Sequence, residues 1–190
     1  MVITFKPSSP FRVDHVCLLV KDLDEGVNDW CRLLECPRDE AFIYEFREKD
    51  PSGIKPQDVM KACYLTIQNC FIELIQPVNP EGTMARNLAR RGEGLHHISL
   101  NFATSKSEEI MNGITKKGFQ WVGGEEWAGG MGIRTGYLHP KSGTHGVLVE
   151  MLTRMKIGKA KPGEVTKTEW GDFGDWAFEP TDEEWISPIS

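Results

Sequence analysis

The sequence predicts an α+β fold in which two similar βαβββ modules enclose a single buried site. A strand-like run that carries a histidine occurs twice, at residues 13–18 and 95–100. In each half a helical stretch follows, and then a β-rich run with one glutamate among apolar residues, Glu73 in the first half and Glu150 in the second. An internal repeat of this kind is a strong indicator of the architecture of the whole chain. Here it also coincides with residue types that bind metals.

The first predicted elements are a strand and a helix. Residues 12–20 are β-branched and apolar and lie between Pro10 and Asp22, which indicates a strand. Asp22 or Asp24 can cap a helix that runs to about residue 34. The apolar stripe of this helix is predicted to consist of Val27, Trp30, Leu33 and Leu34.

Three strands complete the first half. Residues 41–46 form the first of them, and a charged loop with two prolines follows at 47–57. Residues 60–67 and 70–76 are expected to pair as a hairpin through the two residues between them. The first half is therefore predicted as β-α-β-β-β.

The second half repeats this order after residues 77–94, which are expected to link the two halves and to hold a short helix at 83–91. Gly118 suits the left-handed residue that ends the main helix. A glycine-rich loop precedes the closing hairpin. We predict a strand at 95–102, a helix at 105–117 and a short strand at 119–122. The two strands of the closing hairpin are predicted at 133–139 and 146–152.

This pattern divides the chain into two modules, at residues 11–79 and 95–153, joined by a connector at 80–94. An N-terminal extension (1–10) precedes the first module, and a C-terminal tail (154–190) follows the second. The tail is rich in acidic residues and contains Trp170, Trp176 and Trp185. Disordered segments are poor in aromatic residues. We therefore expect the tail to pack on the body or on a second subunit.

Composition excludes several classes of partner. The formal net charge of -6 argues against a nucleic acid or an anionic membrane surface. No apolar stretch reaches the length of a membrane helix, and residues 1–10 lack the apolar core of a secretory signal. The five cysteines are odd in number and show no Cys-x-x-Cys spacing. Reduced thiols in a cytoplasmic protein are the expected state.

His15, Glu73, His97 and Glu150 are the candidate metal ligands. Strand alternation makes each a lone polar group in a strand that is expected to be buried on both faces. Alternatively, each histidine is a satisfied core residue and each glutamate is half exposed. A buried carboxylate is costly unless it is paired or bound to a cation, and two in one cavity repel each other. Because the four residues occur in matched order across the repeat, we favour a divalent metal site.

Two imidazoles and two carboxylates without a thiolate suit Mn, Co, Fe, Ni or Zn as the divalent ion. His96 is expected to point to the opposite face from His97 and to have a structural or supporting role. Cysteine coordination is not required.

Four motifs in this order resemble the vicinal oxygen chelate, or glyoxalase-like, superfamily, and within it the methylmalonyl-CoA epimerases. They are the sequences at residues 13–16, 71–77, 94–99 and 138–150. The resemblance covers about residues 11–153. It implies two βαβββ modules whose sheets curl around a metal held by His15, Glu73, His97 and Glu150. It also implies a homodimer, and the position of Glu73 is a glutamine in some relatives.

The chemistry implied is proton transfer next to a carbonyl group. A metal that binds the carbonyl oxygen stabilises the enolate, and Glu150 or Glu73 is the candidate base. Return of the proton to the other face is epimerisation, and return to the adjacent carbon is a glyoxalase-type reaction. Lys61 occupies the region where some epimerases have a second acidic base, so it is a candidate acid or base, with a solvated surface lysine as the alternative.

The expected substrate is a small molecule, possibly an acyl-CoA, with its phosphates held by Lys141 or by arginines of the connector, unless those form a solvated face: Arg86, Arg90 and Arg91. An extradiol-type dioxygenase of the same superfamily is a second hypothesis, although Glu73 would fill a position that iron(II) leaves open in such enzymes. A glyoxalase-type lyase and a non-catalytic binding protein are further alternatives.

Overall fold

The computed structural model describes residues 9–48, 58–67, 70–122, 127–128, 133–164, 166–168 and 171–183. In the first half the elements are β1 (Arg12–Leu19), α1 (Leu23–Leu34), a 3-10 turn (Arg38–Glu40), β2 (Phe42–Glu48), β3 (Asp58–Ile67) and β4 (Cys70–Pro77). The connector contains α2 (Thr83–Arg91). The predicted β-α-β-β-β order of this half is confirmed.

The second half consists of β5 (Gly94–Phe102), a 3-10 turn (Thr104–Lys106), α3 (Ser107–Lys116), β6 (Trp127–Ala128), β7 (Arg134–Leu138) and β8 (Val149–Thr153). The predicted strand at 119–122 is wrong, because only Trp121 makes an isolated bridge, to Leu138. The segment still hydrogen-bonds along one end of β7, where Val122 N donates to Tyr137 O and His139 N donates to Gln120 O, while β6 pairs with the other end of β7. Gly118 ends the helical segment with φ +88°, as predicted.

Helix α1 follows its predicted bounds for identifiable reasons. The Asp22 side chain accepts a hydrogen bond from the backbone N–H of Glu25 at 2.9 Å, which caps the first turn. The face packed on the sheet presents Leu23, Val27 and Cys31, which share a side of a 3.6-residue helix. Leu33 is 70% exposed, so its place in the predicted stripe is wrong. Six positions beyond Val27, it lies off the buried face.

The strand order shows the internal repeat directly. Within the described residues the main sheet runs β10-β11-β2-β3-β4-β1-β5-β8-β7-β6, where β10 is Lys167–Thr168 and β11 is Gly171–Asp172. β1 pairs with β4 in parallel, and β5 pairs with β8 in the same way. The two halves meet at the antiparallel pair β1–β5. This α+β architecture confirms the predicted fold class and places both histidine-bearing strands at the centre of the sheet.

The described part of the tail packs on the body, as predicted. β11 pairs with the outer edge of β2, and β9 (Met155–Lys159) pairs with β12 (Trp176–Pro180). Phe173 is buried, and the Trp176 ring lies 4.9 Å from that of Phe42. Trp170 and Trp185, most of the predicted loop at 47–57, the turn at 68–69 and the glycine-rich loop lie outside the described residues.

All five cysteines are free thiols, with Cys17, Cys31 and Cys63 buried, in agreement with the prediction of reduced thiols. Among the described residues, no helix combines the length and the apolar character needed to cross a bilayer.

Candidate metal centre

Two imidazoles meet at the junction of the two halves. His15 lies on β1 and His97 on β5, and both side chains are almost fully buried. Their Nε2 atoms are 2.9 Å apart. The antiparallel pairing sets Cys17 opposite His97, so the two strands bring the two rings to the same face of the sheet.

The two glutamates complete the cluster from the neighbouring strands. Glu73 on β4 and Glu150 on β8 are both buried. Their Oε2 atoms lie 3.3 and 3.2 Å from His15 Nε2, and 3.8 and 3.5 Å from His97 Nε2. The structure therefore brings together all four residues that the sequence analysis named as ligands.

The second oxygen of each glutamate is held by a hydroxyl group. Tyr44 donates to Glu73 Oε1 at 2.7 Å, and Thr135 donates to Glu150 Oε1 at 2.8 Å. Burial, followed by the charge of Glu73, raises the pKa of Tyr44 well above its usual value, so this hydroxyl keeps its proton. One oxygen of each carboxylate is thus anchored while the other faces the histidines.

The ligand atoms of His15, His97 and Glu150 lie close enough together to hold one divalent cation, and Glu73 Oε2 lies beside them. Two ligands at about 2.1 Å from one ion lie about 3.0 to 3.4 Å apart in octahedral or tetrahedral geometry, and the histidine and carboxylate atoms are separated by 2.9 to 3.8 Å. Glu150 Oε2 is buried and, although it lies 3.2 Å from His15 Nε2, no donor of the described structure is oriented to form a hydrogen bond with it. An acceptor in that state is costly unless a cation faces it.

The charges of the cluster perturb its members in opposite directions. Burial lowers the pKa of His15, but the negative charge of Glu73 and the contacts with Asp14 and Glu150 outweigh it, so the pKa is raised well above 6.5. Burial would raise the pKa of Glu150, but the two histidines hold it well below its usual range. Without a metal, an imidazolium at His15 offsets part of the negative charge that a divalent cation would otherwise neutralise.

Two β-bulges add side chains that the sequence analysis did not place here. The pairing of β1 with β5 shifts register between Val13 and Val16 and again opposite Cys17 and Leu18. At the first shift Asp14 turns to His15, with Oδ1 at 2.8 Å from Nδ1. At the second, His96 Nδ1 lies 2.8 Å from His97 Nδ1. The prediction that His96 points to the opposite face is therefore wrong.

The sequence did contain a sign of these bulges. Both occur where two consecutive polar residues interrupt an apolar strand, Asp14-His15 and His96-His97. Burial, followed by the electrostatic interaction with His97, lowers the pKa of His96 to about 3, so the ring of His96 is neutral. An extra residue in one strand is what lets adjacent side chains share a face.

A tyrosine beside each glutamate extends the repeat. Tyr64 pairs with Glu73 and Tyr137 with Glu150 across the hairpins. The Tyr64 ring lies edge-on to His15 at 5.3 Å, and the Tyr137 ring lies edge-on to His97 at 5.2 Å. Each half therefore supplies a histidine, a glutamate and a tyrosine in the same arrangement.

Comparison with known proteins agrees with this geometry. The model of the glyoxalase/bleomycin resistance protein/dioxygenase superfamily matches residues 14–137. The chain belongs to this superfamily. The resemblance predicted from the sequence is thereby confirmed at the level of the superfamily. No curated protein matches the chain significantly by sequence.

Several solved structures, methylmalonyl-CoA epimerases among them, are similar in fold to this superfamily member. A hypothetical protein from Bacillus halodurans is 26% identical with a TM-score of 0.57, over 80% of this chain and 98% of the other. A Streptomyces coelicolor methylmalonyl-CoA epimerase variant in complex with 2-nitronate-propionyl-CoA is 27% identical with a TM-score of 0.51, over 75% and 93%. A methylmalonyl-CoA epimerase in complex with methylmalonyl-CoA is 28% identical with a TM-score of 0.52, over 76% and 95%.

Lys61, the third predicted catalytic residue of this superfamily member, does not reach the centre. It is exposed on β3. Ala62 and Tyr64 on the same strand pack toward the histidines, whereas Cys63 and Leu65 pack toward α1. Alternation puts Lys61 on the α1 side, so its assignment as an acid or base is wrong and the surface interpretation holds.

Proposed function

We propose that this protein is a metal-dependent isomerase that removes and returns a proton on the carbon next to a carbonyl group. The observation that carries the proposal is the buried cluster of two imidazoles and two carboxylates, each carboxylate with one oxygen anchored and one facing the histidines. The likeness to epimerase structures at 27 and 28% identity supports the same reaction class.

His15, His97, Glu73 and Glu150 would hold the divalent ion, which could be Co, Mn, Ni, Fe or Zn. Bound there, the ion would polarise a substrate oxygen and stabilise the negative charge that develops when the adjacent C–H loses its proton. Tyr44, Tyr64 and the apolar residues around them are buried, and in the proposed reaction they would limit the access of water to this charge.

Glu150 is our candidate for the group that takes the proton. The two histidines hold its pKa well below the usual range, so it is ionised at neutral pH. A base this weak requires that the metal, when bound, make the adjacent C–H strongly acidic. Glu73 is the candidate for the second base in place of Lys61. The two carboxylates come from different halves of the molecule, which suits removal of a proton on one face of the substrate and return on the other.

An acyl-CoA is the proposed substrate class. The exposed arginines at the end of α2, Arg90 and Arg91, stand shortly before β5, which carries His97. The charge of Arg91 is close enough to lower the pKa of His96. A phosphate-bearing arm of the substrate could therefore contact these arginines while its acyl group reaches the histidines. The homodimer that the family resemblance implies stays part of this proposal.

Deuterium exchange tests the proposed reaction. The protein is loaded with Co(II) or Mn(II) and incubated in heavy water with a panel of acyl-CoAs, and deuterium on the α-carbon is measured by mass spectrometry. We expect exchange with at least one of them, and a loss of about 100-fold or more in Glu150→Gln, since a general base contributes about 10²–10⁴-fold.

Glu109→Gln is the matched control, because it makes the same chemical change at an exposed position on α3. It should exchange at the wild-type rate. Absence of exchange with every acyl-CoA would contradict the isomerase proposal. Oxygen consumption with a catechol and iron(II) would favour a dioxygenase instead, against the expectation from Glu73, which takes a coordination position that such enzymes leave open.

A further inference from the structure

Arg154 is a buried cation that connects the tail to the second module. It follows β8 directly and is only 6% exposed. Its Nη1 donates to the backbone carbonyl oxygens of Asp182 and Glu183, at 3.1 and 3.4 Å. Its Nε donates to Asn101 Oδ1 at 3.3 Å. A buried charge with several partners of this kind is expensive to maintain and calls for a role.

Beyond Asn101 the contacts continue to the candidate metal centre. Asn101 Nδ2 donates to Asp14 Oδ2 at 2.7 Å, and Asp14 Oδ1 faces His15 Nδ1 at 2.8 Å. Asn101 and Asp14 are each 6% exposed. We call Arg154, Asn101 and Asp14 the polar chain. It crosses from the second half of the molecule to the first through the bulge in β1.

The direction of every hydrogen bond in the polar chain follows from its two ends. A guanidinium offers only donors, and an ionised carboxylate offers only acceptors. The amide of Asn101 must therefore turn its oxygen to Arg154 and its nitrogen to Asp14. Both oxygens of Asp14 are then occupied by donors, and His15 has to present an N–H at Nδ1. That leaves His15 Nε2 as the atom available to a metal.

We propose that Arg154 is a positioning residue that acts through Asn101 and Asp14 to fix the orientation of His15, and that residues 181–183 hold Arg154 in place. The proposal deepens the proposed function, because it rests on His15 as a ligand of the metal centre. Outer contacts of this kind usually set the ring orientation of a metal-bound histidine and change metal affinity by about 10- to 100-fold when they are removed.

The tail end that contacts Arg154 is itself tied to the second module. Thr181 N donates to the carbonyl oxygen of Arg154 at 3.0 Å, and Ser105 N donates to Asp182 Oδ1 at 2.7 Å. The sequence of the first half lacks the residues that would make an equivalent arrangement. The positions four residues beyond His15 and Glu73, which correspond to Asn101 and Arg154, are Leu19 and Pro77. The polar chain is therefore a specific addition rather than a property of the repeat.

Arg154→Met and Asn101→Leu test the proposal, together with the double variant, which removes a buried donor and its acceptor at once. Two quantities are measured on the full chain: Zn(II) affinity by competition with a chelator, and protection of the His15 Nδ1–H from exchange with water by nitrogen-15 NMR, with and without Zn(II). We expect each single variant to bind Zn(II) about tenfold more weakly and to lose the protection of this N–H.

The double variant should be no worse than either single variant, because both interrupt the same path. Arg32→Met is the matched control. It makes the same substitution at an exposed arginine of α1 and removes an ion pair with Asp29, 2.8 Å long, that involves neither the polar chain nor residues 181–183, so it should behave as wild type.

Wild-type protection and affinity in Arg154→Met would overturn the proposal, and so would losses that multiply in the double variant, since those indicate a general effect on stability. If the wild-type chain binds no Zn(II) or other divalent ion, the proposed function fails. The N–H protection in the metal-free protein then still decides whether Arg154 positions His15.

Discussion

The two halves of the metal centre share one backbone plan but surround their histidines with different charges. In the first half a carboxylate, Asp14, contacts His15 at Nδ1. In the second half a neutral imidazole, His96, takes the corresponding position beside His97. The pKa of His15 is raised while that of His96 is lowered to about 3. Duplication of a strand and its bulge therefore preserved geometry, and the residue in the bulge decides the charge that each ligand meets.

The largest expected difference between the two halves is in metal affinity, after Asp14 and His96 are each replaced by a neutral amide residue. Asp14→Asn leaves one oxygen to serve two donors, His15 and Asn101, so we expect Zn(II) or Co(II) affinity to fall about 10- to 100-fold. His96→Gln removes no charge and should cost less than about tenfold. Isothermal titration of both variants measures the difference, and equal losses would show that the charge of Asp14 is not what distinguishes the halves.

The stability of the metal-free protein should depend on pH in opposite ways in the two halves. The pKa of His15 is higher in the folded chain than the value of about 6.5 in the unfolded chain. Its contribution is complete below pH 6.5 and is lost as the pH rises through the folded value. The pKa of His96 is lower in the folded chain, at about 3, so stability falls as the pH drops from 6.5 toward 3.

Denaturant unfolding at a series of pH values checks these signs. Asp14→Asn should flatten the decline above pH 6.5, and His96→Gln should flatten the decline below it, where the lowered pKa of Glu150 contributes in the same direction. A profile that Asp14→Asn leaves unchanged above pH 6.5 would count against the coupling of Asp14 and His15.

A smaller difference is expected between the contributions of the two anchoring hydroxyl groups to the free energy of unfolding. Tyr44→Phe leaves the buried Glu73 Oε1 without its donor, which we expect to cost about 1–3 kcal/mol of unfolding free energy. Thr135 is less buried, and in Thr135→Val water can replace the donor to Glu150 Oε1, so the cost should stay near about 0.5–1.5 kcal/mol. A larger loss in Thr135→Val would reverse this order.

The smallest effect is expected at Lys61. Lys61→Met changes an exposed side chain on the α1 side of β3, so α-carbon exchange and unfolding free energy should remain within about 0.5 kcal/mol of wild type. A large loss of exchange would restore Lys61 as a participant in the reaction.

The matched order of His15, Glu73, His97 and Glu150 across the repeat predicted which four residues converge, and strand alternation gave the face of each strand on which they lie. The same argument could have excluded Lys61, which lies three positions before Tyr64 and therefore on the other face. The orientation of Asp14 and His96 could not be predicted from strand alternation, because a bulge interrupts the two-residue period locally.

Arg154 could not be placed from the sequence, because its partners, Asn101 and residues 182–183, come from distant segments and no periodic pattern connects them. The same holds for Phe173, whose burial depends on contact with the first half. The sequence predicted that the tail packs on the body or on a second subunit. It did not predict which residues the tail would contact.

The pairing of β11 with β2 affects how the chain folds as it leaves the ribosome. N-terminal segments emerge and begin to fold first, yet within the described residues the outer edge of β2 pairs with Gly171 and Asp172, far along the chain. During translation of more than a hundred intervening residues, that edge keeps unpaired backbone groups that could join a strand of another nascent chain. We expect chaperone dependence to be concentrated in this interval.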